Sequence, residues 1–155
     1  MRRANREVKN KSELIKIIES CKTCRMGMID DGKPYVVPLN FGYKIVDSVI
    51  TIYLHSAKEG RKVEVLTRNN TVCIEMDQMS ELITGKNGCD YSCYFESFIG
   101  EGQAVILENV EAKIDALNAI MKHQTGKDDF SYDLRVLDKT LIIAIELNHY
   151  TGKRH

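Results

Sequence analysis

Tryptophan is absent from this 155-residue chain, and its two prolines are Pro34 and Pro38. No indole is available to stack on a ring, and no proline-rich linker divides the chain. Net charge is lacking too: 22 Lys and Arg balance 22 Asp and Glu, which argues against wholesale binding to nucleic acid or a membrane surface. No apolar run reaches the roughly 20 residues that span a bilayer. The basic start, Met1-Arg-Arg-Ala-Asn-Arg-Glu7, is not followed by an apolar h-region, so a secretory signal is not expected. The five cysteines are an odd number and read as reduced thiols of a cytoplasmic protein. P-loop, Gly-x-Gly-x-x-Gly and Gly-x-Ser-x-Gly motifs are all missing. Nucleoside triphosphate, Rossmann and serine-hydrolase chemistry lose their support with them.

What is present fits one domain over residues 1–155, with residues 1–11 as a charged N-terminal arm. Ser12 reads as an N-cap with Glu13 in the first turn. Leu14, Ile15, Ile17, Ile18 and Cys21 then mark the buried face of a helix. A short extended stretch at 25–30, a turn over Asp30-Asp-Gly-Lys-Pro34 and a strand from Tyr35 make a first hairpin. Tyr35, Val37, Leu39, Phe41 and Tyr43 share one face of that strand. The smaller Val36, Pro38, Asn40 and Gly42 share the other, leaving room for something flat. Pro38 cannot donate to a ladder, which places this strand at an edge or a split.

Asp47-Ser48 turns the chain into a strand whose Ile50, Ile52 and Leu54 face the core, with Thr51, Tyr53 and His55 opposite. Ser56 or Ala57 is expected to open the next helix, with Val63 and Leu66 inward. Residues 72–77 form a strand and 80–90 a polar loop. Gly100 and Gly102 mark a bend or bulge in a long strand over 91–107. Val110, Ile114, Leu117 and Met121 give a helix with an ordinary core stripe, stopped near Gly126. A polar segment at 127–133 precedes the last strand, where Leu141, Ile143, Ile145 and Leu147 alternate with Ile142, Ala144, Glu146 and Asn148. The expected fold is mainly β with flanking helices, a small barrel of about six antiparallel strands.

Chemistry concentrates in residues 35–62. Two apolar strands end in His55 and Ser56, and a helix start with Lys58, Arg61 and Lys62 follows at once. Free amides at a helix N-terminus attract anions, and an arginine fork suits a phosphate. A flat apolar wall beside an anion trap would suit a ligand that is part ring and part phosphate, such as flavin mononucleotide (FMN). The same residues also read as a solvated helix start held by salt bridges.

Several segments occur in a telling order: Met1-Arg-Arg, Pro34-Tyr-Val-Val-Pro-Leu-Asn-Phe-Gly-Tyr43, His55-Ser-Ala-Lys-Glu-Gly-Arg-Lys62, Val72-Cys-Ile-Glu-Met-Asp77, Ser97-Phe-Ile-Gly-Glu-Gly102 and Ile120-Met-Lys-His-Gln-Thr-Gly126. Together they resemble the nitroimidazole-resistance (Nim-type) branch of the pyridoxamine 5'-phosphate oxidase-like flavoproteins. The resemblance implies a six-stranded FMN-binding split barrel that works as a homodimer with FMN at the subunit interface. It places the isoalloxazine along Val37, Pro38, Leu39 and Asn40, and ends the next strand with His55 and Ser56. Arg61 and Lys62 would hold the phosphate, with Ala57, Lys58 and Gly60 also in the cofactor site. The partner subunit would add Phe95, Ser97 and Lys153.

The implied activity is FMN-dependent oxidoreduction, with an NAD(P)H donor and a small acceptor such as a nitroaromatic. His55 would be catalytic as a proton donor, since imidazole titrates near neutrality; alternatively it only positions the cofactor. A flavin or haem carrier or sensor without turnover is the rival reading, because fold alone does not decide function. Cys21, Cys24, Cys89 and Cys93 raise a zinc reading, set against buried thiols acting as small apolar groups. No metal is assigned. His123 and His149 read as structural or surface residues.

Overall fold

The computed structural model describes residues 3–155, so the Met1-Arg-Arg motif lies in part outside them. Seven strands are present: β1 (Glu7–Val8), β2 (Thr23–Asp30), β3 (Lys33–Val46), β4 (Val49–Ala57), β5 (Thr71–Ile83), β6 (Ser92–Leu107) and β7 (Thr140–Arg154). Four α-helices accompany them: α1 (Lys11–Ser20), α2 (Arg61–Arg68), α3 (Val110–Thr125) and α4 (Leu134–Asp138). All strand pairings are antiparallel, in the order β1-β7-β4-β3-β2-β5-β6, and β6 also pairs with β7. That last pairing closes six long strands into a ring, with β1 added at the end of β7. The expected six-stranded barrel is the one observed.

Two tight turns build its first half. Asp31 and Gly32 both have positive φ (48° and 77°), as do Asp47 and Ser48 (47° and 74°). Two consecutive positive φ values match the twist of the flanking strands, so each turn closes a hairpin with two residues. Inside the ring, Met26, Phe41, Ile52, Leu54, Ile74, Met76, Phe98, Ile143 and Ile145 are all fully buried. Helix α1 adds Leu14, Ile17 and Ile18 to the same cluster. The alternation read along the strands is therefore the barrel interior.

Several boundaries differ from expectation. Asn10, not Ser12, caps α1: its side chain accepts from the Ser12 amide at 2.9 Å. The arm is not shapeless, because Glu7 and Val8 pair with Lys153 and Gly152. Strand β4 runs on through Ala57, since residues 55–57 find partners at 140–142 of β7. The helix expected from Ser56 or Ala57 thus starts only at Arg61. The loop expected over 80–90 is strand to Ile83, then a 3-10 turn at Gly88–Asp90. Helix α4 was not anticipated. In α3 the buried residues are Lys113, Ala116, Ala119 and Ile120; Val110 is exposed and Ile114, Leu117 and Met121 are only half-buried.

The bulge expected near Gly100 and Gly102 is present. The β6–β7 register slips between Glu101 and Gly102. A Cβ on Gly102 would lie 2.2 Å from the Glu146 carbonyl oxygen, so only glycine fits where the two backbones close up.

Candidate functional site

Strand β3 changes partner half-way. Residues 33–40 pair only with β2, and residues 41–46 only with β4. Phe41 opposite Leu54 is the last β3–β4 pair; beyond it Asn40 turns towards β2 while His55 turns towards β7. The two strands fork there, and the first half of β3 keeps a free edge. Pro38 sits on that half, as its missing N–H required. Outward from it, Val36 is 57% exposed and Pro38 is exposed. The expected room over Gly42 is filled: α3 lies directly on it, with a Gly42 Cβ placed 2.3 Å from the Ile120 nitrogen. Asn40 donates its side-chain amide to the Lys22 carbonyl at 3.1 Å. The free wall is therefore centred on Val36 and Pro38.

Helix α2 brings its cations to the foot of the same strand. Arg61 donates Nε to Asp30 Oδ2 at 2.8 Å, and its guanidinium carbon lies 4.1 Å from the Tyr35 ring centroid. Arg68 binds the other Asp30 oxygen. The Arg61 hydrogen bond holds the Asp30 carboxyl below its ordinary pKa. The terminal Nη groups of Arg61 make no hydrogen bond among the described residues, which leaves its fork open. Lys62 is half-buried, forms no ion pair among the described residues, and has its pKa lowered by burial. Gly60 caps the helix with φ 116° and no side-chain hydrogen bond. The amides of Arg61 and Lys62 therefore find no acceptor among the described residues. A half-buried lysine, an arginine with free Nη groups and amides without acceptors among the described residues thus lie in the first turn of one helix.

Other expected residues are placed as follows. His55 is exposed and has no side-chain hydrogen bond among the described residues. Ser56 donates its hydroxyl to the Ala57 carbonyl at 2.7 Å. Lys58 pairs loosely with Asp138 at 3.7 Å. Phe95, Ser97 and Lys153 form a second group on β6 and β7: Ser97 is opposite Lys153, whose Nζ is 5.1 Å from the Phe95 ring centroid. Two sets of candidate residues thus lie on different strands of one subunit.

A family model described as pyridoxamine 5'-phosphate oxidase matches residues 10–154. The chain belongs to that family. Among solved structures, this pyridoxamine 5'-phosphate oxidase family member is similar to a proposed 5-nitroimidazole antibiotic resistance protein from Bacteroides thetaiotaomicron. Identity is 38%, coverage is 96% of this chain and 86% of that one, and the TM-score is 0.84. The flavocytochrome Anf3 from Azotobacter vinelandii matches at 16% identity over 100% and 72% of the two chains (TM-score 0.83). An FAD- and haem-binding protein from Mycobacterium smegmatis matches at 14% over 96% and 73% (TM-score 0.83). The last two show a shared fold, the split barrel. Comparison with curated proteins found no match.

A groove on this oxidase-family chain lies elsewhere. It encloses about 1000 Å³ between α1, α3 and the 43–45 segment of β3, and the sequence had not signalled it. Two of its cations are ion-paired within it, while Lys22 and Glu19 meet neutral partners. Lys44 pairs with Asp115 and Lys122 with Asp128, Tyr43 donates to Glu19, and Lys22 donates to the His123 carbonyl. The thiols are scattered: Cys21 and Cys24 are core residues, and Cys89 is exposed. Burial pushes the Cys24 thiol up to about 12, which suits an apolar role. Among the described residues no three His, Cys, Asp or Glu side chains are grouped to hold a metal, and no helix is long and apolar enough to cross a membrane.

Sequence reasoning missed three contributors: Asp30, Tyr35 as the platform under Arg61, and Arg6, which reaches the Phe95 ring at 5.9 Å. The Arg61–Asp30 pair spans 31 residues and the Arg6–Phe95 contact 89. Neither leaves a local signal.

Proposed function

We propose that this protein is a homodimeric FMN-dependent oxidoreductase of the nitroreductase type, taking electrons from NAD(P)H and passing them to a small nitroaromatic acceptor. The observation that carries the reading is Lys62: a half-buried cation without a counter-ion among the described residues, next in the chain to Arg61, whose Nη groups are free, and to the unpaired first amides of α2. A group of that kind is destabilising unless an anion completes it. A phosphate has the charge and the oxygens to do so. The free edge of β3 at 33–40 gives a ring one exposed backbone edge beside the Val36 and Pro38 wall.

Bound FMN supplies the hydride chemistry. Arg61 and Lys62 bind its phosphate, with Lys58 and the Gly60 turn closing round them. The backbone of Val37, Pro38, Leu39 and Asn40 orients the ring system. His55 and Ser56 stand at the mouth of the fork, where the exposed imidazole of His55 donates a proton to the reduced acceptor. The partner subunit's Phe95, Ser97 and Lys153 would complete the flavin site. The 38% identity to a proposed 5-nitroimidazole resistance protein supports the choice of acceptor.

The test is a visible absorption spectrum of protein purified without added cofactor, followed by anaerobic mixing with NADH or NADPH and then a nitroimidazole. A flavin band that bleaches and then returns supports turnover. A band that never bleaches favours a flavin carrier or sensor of the same fold. A folded dimer that is colourless and takes up no FMN rejects the flavin altogether.

A further inference from the structure

The hairpin that joins β2 to β3 ends on the pair Asp30 and Lys33, closed by Asp31 and Gly32. That tight turn fixes the backbone of Asp30, whose side chain is only 14% exposed. Two cations of α2 meet it, one on each oxygen. Arg61 donates Nε to Oδ2 at 2.8 Å, and Arg68 donates Nη2 to Oδ1. Strand β3 supplies a second hold on Arg61. Tyr35, two residues beyond Lys33, has its ring centroid 4.1 Å from the Arg61 guanidinium carbon.

A solvated arginine has many rotamers, and a ligand that must order one loses affinity. Here the protein does the ordering before any ligand arrives. Asp30 takes Nε and Tyr35 takes the flat face. The donors left over are the Nη groups, which bind no acceptor among the described residues. Such a pair of N–H groups matches two phosphate oxygens. A bare carboxylate would repel a phosphate, but Arg68 shares this one, so the three side chains keep one positive charge in excess.

We infer, resting on the reading of α2 as the phosphate end of the FMN site, that Asp30 is a positioning residue which, with the Tyr35 ring, sets the Arg61 fork for phosphate. The sign of its effect separates this role from plain electrostatics. Removing a carboxylate near a phosphate should tighten binding, whereas releasing the fork should weaken it.

FMN and riboflavin are titrated into flavin-free protein by fluorescence, and pyrophosphate by calorimetry. The chains compared are the parent, Asp30→Asn, Arg61→Ala, their double variant, Tyr35→Leu and Tyr35→Phe, each with a thermal melt. Asp30→Asn should bind FMN about threefold to tenfold more weakly, the ordering cost of one rotamer-rich side chain, with riboflavin unchanged. In the Arg61→Ala background it should weaken FMN no further. Should Asp30→Asn fail to fold, the ring carries the test. Tyr35→Leu should then lose about twofold to fivefold in FMN affinity and Tyr35→Phe regain it; no loss in Tyr35→Leu overturns the inference. FMN binding unchanged or tighter in Asp30→Asn, a loss shared by riboflavin, or an equal loss without Arg61 also overturns it and leaves the flavin reading standing. A parent that takes up no FMN, yet binds pyrophosphate more tightly than Asp30→Asn does, keeps the positioning role and removes the flavin. A parent that binds none of the three overturns both.

Discussion

Gly42 of β3 lies directly beneath Ile120 of α3: a Cβ on the glycine would stand 2.3 Å from the Ile120 nitrogen and 2.4 Å from its Cα. The atoms in the way are backbone, so no rotamer change can make room. Gly42→Ala must push the helix off the strand. The expected cost is about 3 kcal/mol, the upper part of the overpacking range, or a melting temperature lower by about 6–12 °C for a domain of this size. Thermal melts of the parent and the variant check it; a shift under about 2 °C means that α3 does not sit on Gly42.

His123 links acid sensitivity to the same contact. Its Nε2 donates to the Cys21 carbonyl at 2.7 Å, and its ring packs 4.5 Å from Phe41 and 5.4 Å from Tyr43. A carbonyl only accepts, so Nε2 carries the proton of the neutral ring. Burial lowers its pKa below the ordinary 6.5, so the unfolded chain takes up a second ring proton, at Nδ1, more readily. Its contribution to stability is complete above about pH 6.5 and is lost as pH falls through the lowered folded value. Urea unfolding between pH 7.5 and 5 should show stability falling with acidity, and His123→Gln should flatten that slope. An equally steep slope in the variant would reject the assignment.

The barrel was legible because its strands alternate strictly. Ile50, Ile52 and Leu54, or Leu141, Ile143 and Ile145, can be buried together only as one face of a strand, and Asp31-Gly32 and Asp47-Ser48 marked the turns. The ends were less legible. Nothing local tells Ser56 and Ala57 to stay extended; their partners in β7 lie more than eighty residues away. Helix α4 escaped because it is one short turn with Leu134 and Val136 exposed, which leaves no apolar stripe to read. At the site, the block from His55 to Lys62 contains the start of α2, at Arg61 rather than at the expected Ser56 or Ala57. That Lys62 lacks a counter-ion among the described residues while Arg61 leans on Asp30 and Tyr35 is seen only in the assembled sheet.

His55 stands free at that fork. Its side chain is exposed and makes no hydrogen bond among the described residues, so His55→Ala should fold and melt like the parent. The proposed proton transfer predicts a nitroimidazole reduction rate lower by about 10²–10⁴, the usual contribution of a positioned acid, with flavin content unchanged. Stopped-flow reoxidation of the reduced protein measures it. An unchanged rate would limit His55 to the lining of the site.

Lys62 couples function to stability with opposite signs. Half-buried and without an acidic partner among the described residues, its ammonium loses hydration that no neighbouring carboxylate returns, and the lowered pKa records this. Lys62→Met keeps a flexible chain of similar length and removes the charge. In flavin-free protein the variant should melt at or above the parent's temperature, because an uncompensated desolvation is gone. FMN should bind about tenfold to a hundredfold more weakly, the worth of one charge-assisted hydrogen bond to phosphate. Riboflavin, which has no phosphate, should bind parent and variant alike. Differential scanning calorimetry and flavin fluorescence titrations separate the two effects. A variant that loses stability without losing FMN affinity would make Lys62 a packing residue and move the phosphate away from α2.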